Sequence, residues 1–250
     1  MSVFDSQNVL VLREVKYKEA DRILTLYSSK LGKITAKASG ALRKNSKLSA
    51  STQMLTYSDA VLLNRDGKYA VTEASIIEPF SGLREDFESY ALGCYFADCV
   101  DSLCPEGIED FDILQLILNS LYALSNKIDS PLKIKAAFEL RLISLLGYKP
   151  DLDHCLVCKR KDVVSPTLGY ETGYICCREC RNAEIGVTDY LCDESLNAMR
   201  HIVSCSPKSL LSFRAEDESL KRLSTACEDF FISHAERRFG TLDYWKKIKI

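Results

Sequence analysis

The chain has 250 residues, 46% hydrophobic and 27% charged, a balance that suits a well-packed water-soluble fold of one large or two ordinary domains. A net charge of −2 points to no particular partner. No run of about 18 apolar residues is present to span a membrane, and the opening MSVFDSQNVLVLREV lacks the basic, apolar and small-residue order of a signal peptide. The expected location is therefore cytoplasmic, where the eleven cysteines would stay reduced and a disulfide framework is not expected.

The first 80 residues read as β-strands. Residues 8–15 (NVLVLREV), 23–28 (ILTLYS) and 34–39 (ITAKAS) are rich in β-branched and aliphatic side chains, with a Leu31-Gly32 turn before the third run. Residues 60–63 and 69–74 flank Asp66-Gly67, a strong hairpin signal. Five short strands with no proline before Pro79 suit a small closed barrel with few exposed edges. This head carries twelve Lys and Arg against eight Asp and Glu, net +4, and the remaining chain is net −6. Such asymmetry places a polyanion on the head if anywhere.

Past Pro79 the apolar period changes to that of helices, over residues 83–103, 111–124 and 132–146. Ser130-Pro131 is an N-cap followed by proline at the first helical position, and Gly147 with Pro150 marks the stop. Two more helices are expected, over 194–203 and 217–239. The fold class is thus α+β, with a head over 1–80, a helical body over 81–250 and an insert at about 152–185.

That insert holds CLVCKRKDVVSPTLGYETGYICCREC, with five cysteines in 26 residues. Two CxxC turns, Cys155/Cys158 and Cys177/Cys180, are separated by 18 residues, the spacing of a structural zinc site. A hairpin of 163–167 and 170–175 would bring the turns together. A redox reading needs one CxxC opening a helix after a strand, and neither pair has that context. Cys176 would give the looser CxxxC with Cys180, so Cys177 is the better ligand, though the choice between them stays open. His154 adjoins Cys155 and is read as an exposed neighbour. Four thiolates leave no open coordination position, so the zinc would be structural. Cys94, Cys99 and Cys104 recur every five residues, about 140° apart around a helix, and are read as small buried hydrophobes.

No phosphate-binding loop, dinucleotide fingerprint, HExxH or nucleophile elbow occurs, and His201 and His234 lack partners at useful spacing. Nothing commits the chain to catalysis. The basic run is more informative. Residues 33–47 (KITAKASGALRKNSK) contain Lys33, Lys37, Arg43, Lys44 and Lys47 with no acid between them. Lys33 and Lys37 are four apart on one strand and share a face. With Arg13, Lys16, Tyr17 and Lys18 they would form a cationic surface with an aromatic platform, as small barrels use for single strands. The alternative is a solvated lysine-rich face.

The order of parts resembles the RecO family of bacterial recombination mediators. The stretch VLVLREVKYKEADRILTLYSSKLGKITAKASGALRKNSK is similar to that family's opening, and FELRLISLLGYKP running into Cys155-Leu156-Val157-Cys158 resembles its second signature. Ser39-Gly40 stands where the family usually has Lys-Gly, and one extra residue separates Gly173 from the second CxxC. The resemblance implies an OB-fold head and a zinc-bearing helical body with Cys155, Cys158, Cys177 and Cys180 as ligands. It also implies binding of single- and double-stranded DNA, annealing of complementary strands, and action with RecR to load RecA onto strands coated by single-stranded DNA-binding protein. An RNA-binding OB-fold protein and a zinc-organised interaction scaffold are the competing readings.

Overall fold

The computed structural model describes residues 3–163, 166–181 and 188–249. Two compact units emerge, Met1–Asn126 with Phe239–Ile250, and Lys127–Arg238.

The first unit begins with a closed barrel of β1 (Val3–Tyr17), β2 (Asp21–Ser28), β3 (Gly32–Ala38), β4 (Tyr57–Arg65) and β5 (Lys68–Glu78), with the short helix α1 (Leu48–Ser51) between β3 and β4. The strand order β1-β2-β3-β5-β4, with β4 returning to β1, is that of an OB-fold barrel. All pairs are antiparallel except β3 with β5. Alternation sends Val9, Val11, Leu24, Leu26, Ile34, Ala36, Leu62 and Val71 into one apolar core. Asp66 and Gly67 both adopt positive φ, 52° and 79°, the two left-handed residues that a type I′ hairpin requires.

Helices follow as α2 (Ser81–Glu85), α3 (Phe87–Leu103), α4 (Phe111–Ser125), α5 (Pro131–Leu145), α6 (Asp193–Ser204), α7 (Asp217–Ala235) and α8 (Gly240–Ile248). Asp86 and Asp110 cap α3 and α4 by accepting from the backbone N–H of Ser89 and Ile113. The composition changes at Pro79, yet the compact unit continues, because α3 packs on β1. Leu10 and Leu12, on the face of β1 opposite the barrel core, are therefore as buried as Val9 and Val11. Gly32, at φ +60°, has the carbonyl oxygen of Ile108 2.0 Å from where a Cβ would stand, so only glycine allows this close approach. Residues 217–239, read as one helix, are divided: α7 stops at Ala235 with Glu236 left-handed, and Phe239 is the N-cap of α8. In α8, Trp245 is 1% exposed, so the helix is anchored by an indole while Lys246 and Lys247 face solvent.

In the second unit α5, α6 and α7 pack together. The side chain of Ser130 accepts from Lys133 N–H with Pro131 next in line, as its sequence forecasts. At the other end Tyr148 N–H donates to Ile143 O and Gly147 N–H to Ser144 O, a Schellman close with Gly147 at φ +101°. Buried in the bundle, Lys135 Nζ lies 2.9 Å from Glu139 and 2.8 Å from Glu228. The cysteine insert is a small sheet of β6 (Asp151–Cys155), β7 (Thr167–Gly169), β8 (Tyr174–Cys176) and β9 (Thr188–Tyr190), ordered β6-β8-β7-β9. The expected hairpin arms shift here. The strand begins at Thr167 and pairs with β8, and β6 and β9 had no signal of their own. Residues 164 and 165 of that hairpin, and 182–185 of the insert, lie outside the described residues.

Candidate functional site

Two candidate sites are built by these elements, one in each unit. In the second, β6 delivers Cys155 beside β8, paired in parallel with Ile175 opposite Cys155. The chain then turns tightly: Lys159 N–H donates to Cys155 O, and Cys155 N–H to Arg160 O, with Lys159 at φ +59°. After β8 the chain makes one 3-10 turn, Arg178–Cys180, closed by Cys180 N–H to Cys177 O at 3.0 Å. The Sγ atoms of Cys155, Cys158, Cys177 and Cys180 consequently all lie within 4.8 Å of one another, with Cys158 and Cys177 at 3.9 Å. Four thiolates around zinc at about 2.3 Å stand about 3.8 Å apart, so the set fits a tetrahedral ion of that size. Four soft donors also fill every position, which suits a closed structural site.

The thiols of the cluster are held unequally. Burial pushes the Cys155 thiol up, but backbone N–H groups of Cys158, Cys177 and Val157 outweigh it and bring the group to about 6. The Cys180 thiol, hydrogen-bonded to Cys177 and Cys158, is pushed up to about 12. Cys176 is wholly buried and its thiol is raised, by burial first and then by Cys155. It does not belong to the group of four. His154 Nδ1 lies 3.8 Å from Asp151 Oδ1 and is not in that group either. Away from the cluster, burial raises the Cys94 and Cys104 thiols to about 11, the behaviour of inert core cysteines.

The barrel holds the second site, at the turn between β1 and β2. Tyr17 pairs with Asp21 across that turn and is 42% exposed. Lys18 and Lys37 place their ammonium groups 5.4 and 5.6 Å from its ring centroid, within cation–π range. The loop leaving β3 is tied to the same turn, since Leu42 N–H donates to Ala20 O and Gly40 N–H to Asp21 Oδ1. That loop presents Arg43, Lys44 and Lys47 to solvent, and Arg13 and Lys16 are exposed along β1. Gly40, at φ +69°, has the Arg43 side chain 3.5 Å from a would-be Cβ.

Lys33 is placed elsewhere. Its Nζ donates to the carbonyl oxygen of Asp101 and lies 3.7 Å from that residue's carboxylate, under the 104–110 loop that Gly32 admits. Although Lys33 and Lys37 do share a face, α3 covers the Lys33 end. Lys37 is also paired, 2.8 Å from Asp21 Oδ2. The Lys37 hydrogen bond, with that from Gly40, holds the Asp21 carboxyl below its usual range. Asp21 is the residue that the sequence did not single out. The basic run contains no acid, but strand pairing brings one in from β2, and no local pattern announces a partner 16 residues upstream.

The family model described as "Recombination protein O N terminal" matches residues 1–80, and "Recombination protein O C terminal" matches residues 84–243. Over 239 residues the chain is 33% identical to a protein named DNA repair protein RecO from Acetivibrio thermocellus, covering 96% of this chain and 95% of that one. Proteins of the same name from Heliobacterium modesticaldum, 31% identical with 96% and 87% covered, and Clostridium perfringens, 28% identical with both chains covered fully, are also similar.

Proposed function

The chain belongs to the RecO family of DNA repair proteins, and from that premise we propose that it binds single- and double-stranded DNA through its barrel and anneals complementary strands. The exposed cations around Tyr17 carry this reading. Arg13, Lys16, Arg43, Lys44 and Lys47 can neutralise successive phosphates while Tyr17 offers a ring on which a base stacks. Lys37 changes partner from Asp21 to phosphate at modest cost, because the pair is partly exposed. Annealing then requires only charge neutralisation and alignment, with no bond made or broken by the protein. Residues 1–80 form the nucleic-acid-binding domain in this proposal and 81–250 the helical domain.

In the same reading Cys155, Cys158, Cys177 and Cys180 hold one Zn2+, which supplies a structural cross-link between the two cysteine turns. Action with RecR, and loading of RecA onto strands coated by single-stranded DNA-binding protein, are the partner interactions that family membership suggests. The deciding experiment mixes complementary strands precoated with single-stranded DNA-binding protein and follows duplex formation with and without this protein. Acceleration that vanishes at high salt is expected. Equal binding of RNA and DNA with no annealing would favour an RNA-binding role, and no nucleic-acid binding at low salt would favour a protein scaffold.

A further inference from the structure

The cysteine turns have a second property that holding a metal does not need. Lys159, Arg160 and Lys161 follow Cys158, and Arg178 and Arg181 bracket Cys180. All five side chains are exposed. Arg160 Nη1 lies 3.3 Å from Glu179 Oε2, which ties the first turn to the second, and the converging thiols hold the two turns that carry these cations side by side. Against them stand Asp162 and Glu179, leaving a net +3. Beside this end, the Arg181 guanidinium sits 4.4 Å from the ring centroid of Tyr190, and Tyr190 is 46% exposed.

Clustered guanidinium and ammonium groups beside a solvent-facing ring are the same chemistry as the barrel face: point charges for phosphates and a platform for a base. We propose that the tip of the cysteine module, Lys159, Arg160, Lys161, Arg178 and Arg181 with Tyr190, is a second binding site for single-stranded nucleic acid, which holds one strand while the barrel holds its complement. This inference rests on the proposed annealing function and deepens it, since two complementary strands held on one protein meet faster than strands that meet by diffusion. A metal tetrathiolate carries a formal charge of −2, so the cations have a competing role in offsetting it. The two roles predict different losses. Cations that only offset the thiolates would loosen zinc when removed and leave strand binding untouched.

The test uses the full chain with two non-complementary oligonucleotides of about 12 nucleotides, within the span of one small site. Native mass spectrometry counts strands per chain at low salt, metal analysis measures zinc, and stopped-flow fluorescence follows annealing of a complementary pair. Wild-type protein is expected to take two strands. Replacing Lys159, Lys161 and Arg178 by alanine should leave one strand, one zinc, and an annealing rate lowered about tenfold. Loss of about three phosphate contacts should flatten the weaker-site salt slope by about 2. Lys161→Glu alone, which spares the fold, should weaken the second strand in the same direction. One strand on wild-type protein, or unchanged annealing by both variants, overturns the second site and leaves the barrel function intact. Zinc loss by both variants with two strands still bound shows that the cations serve the metal and also overturns it. No strand on wild-type protein at any salt sinks the annealing function itself.

Discussion

At the scale of single residues, partners across the fold decide what each charge and thiol can do. Lys33 sits in the middle of a basic run, yet its bond to Asp101 commits it to structure. Lys33→Ala should lower stability by about 1.5–3 kcal/mol, the range for a hydrogen bond to a charged group. Its effect on the salt dependence of DNA binding should be negligible, as titrations at two ionic strengths would check. The neighbouring thiols Cys176 and Cys177 separate similarly. Cys177→Ser should abolish stoichiometric zinc and Cys176→Ser should keep it, and the reverse result would mean that the wrong thiol has been assigned. Burial would pull the Lys135 ammonium down, but Glu139 and then Glu228 outweigh that and raise it above 10.5. Its stabilising contribution is therefore complete at neutral pH, and is lost only as pH rises from the unfolded value of 10.5 through the higher folded one. Lys135→Met removes the ammonium beside Glu139, which is 0% exposed, and should cost about 3–5 kcal/mol in urea unfolding. Adding Glu139→Leu should recover much of that.

At the scale of elements, the basic loop between β3 and α1 and the two cysteine turns are each held by few bonds, and each can be removed as a unit. If about five phosphates are neutralised at the barrel, log affinity for single strands should fall with log salt at a slope near −3.5. Replacing Lys37, Arg43 and Lys44 together by alanine should bring the slope nearer zero and slow annealing, with zinc content unchanged. Normal binding by this variant at every salt concentration would move the DNA to another surface. For the cysteine module, β6, β7 and β8 are only 5, 3 and 3 residues long, too short to persist alone. A structural zinc contributes on the order of 10 kcal/mol in such modules, comparable to the ~5–15 kcal/mol stability of a whole domain. Removing the metal with a chelator should therefore lower the unfolding midpoint of the second unit and leave the barrel's transition nearly in place, as two-probe denaturation would report.

At the scale of the whole molecule, the covering of β1 by α3 has a practical consequence. Residues 1–80 expressed alone would leave Leu10 and Leu12 uncovered, at about 1.5–3 kcal/mol for each buried side chain so exposed. The fragment is expected to aggregate or to melt well below the full chain. DNA-binding measurements on the short fragment would then understate the barrel, so the variants above belong in the full chain. The break between α7 and α8 works at this scale too. Phe239 meets Tyr95 edge-on at 5.7 Å and Thr241 donates to Asp98, so the last helix returns to the first unit, and that return has no signature in the residues before it.

The sequence by itself determined what depends on neighbours along the chain. Period-2 and period-3.6 apolar patterns placed most strands and helices, Asp66-Gly67 placed a hairpin, Ser130-Pro131 and Gly147 bounded α5, and CxxC spacing named four thiols that converge. Each of these is a local preference, of backbone dihedrals or of two ligands on one turn, and survives whatever the rest of the chain does. Only the tertiary structure decided that Lys33 is spent on Asp101, that Asp21 pins the basic loop, that Lys135 balances two glutamates in a core, and that the first unit ends at Asn126 and resumes at Phe239. These outcomes follow from which side chains share a volume after folding. In that volume, burial and a partner's charge outweigh anything that position in the chain conveys.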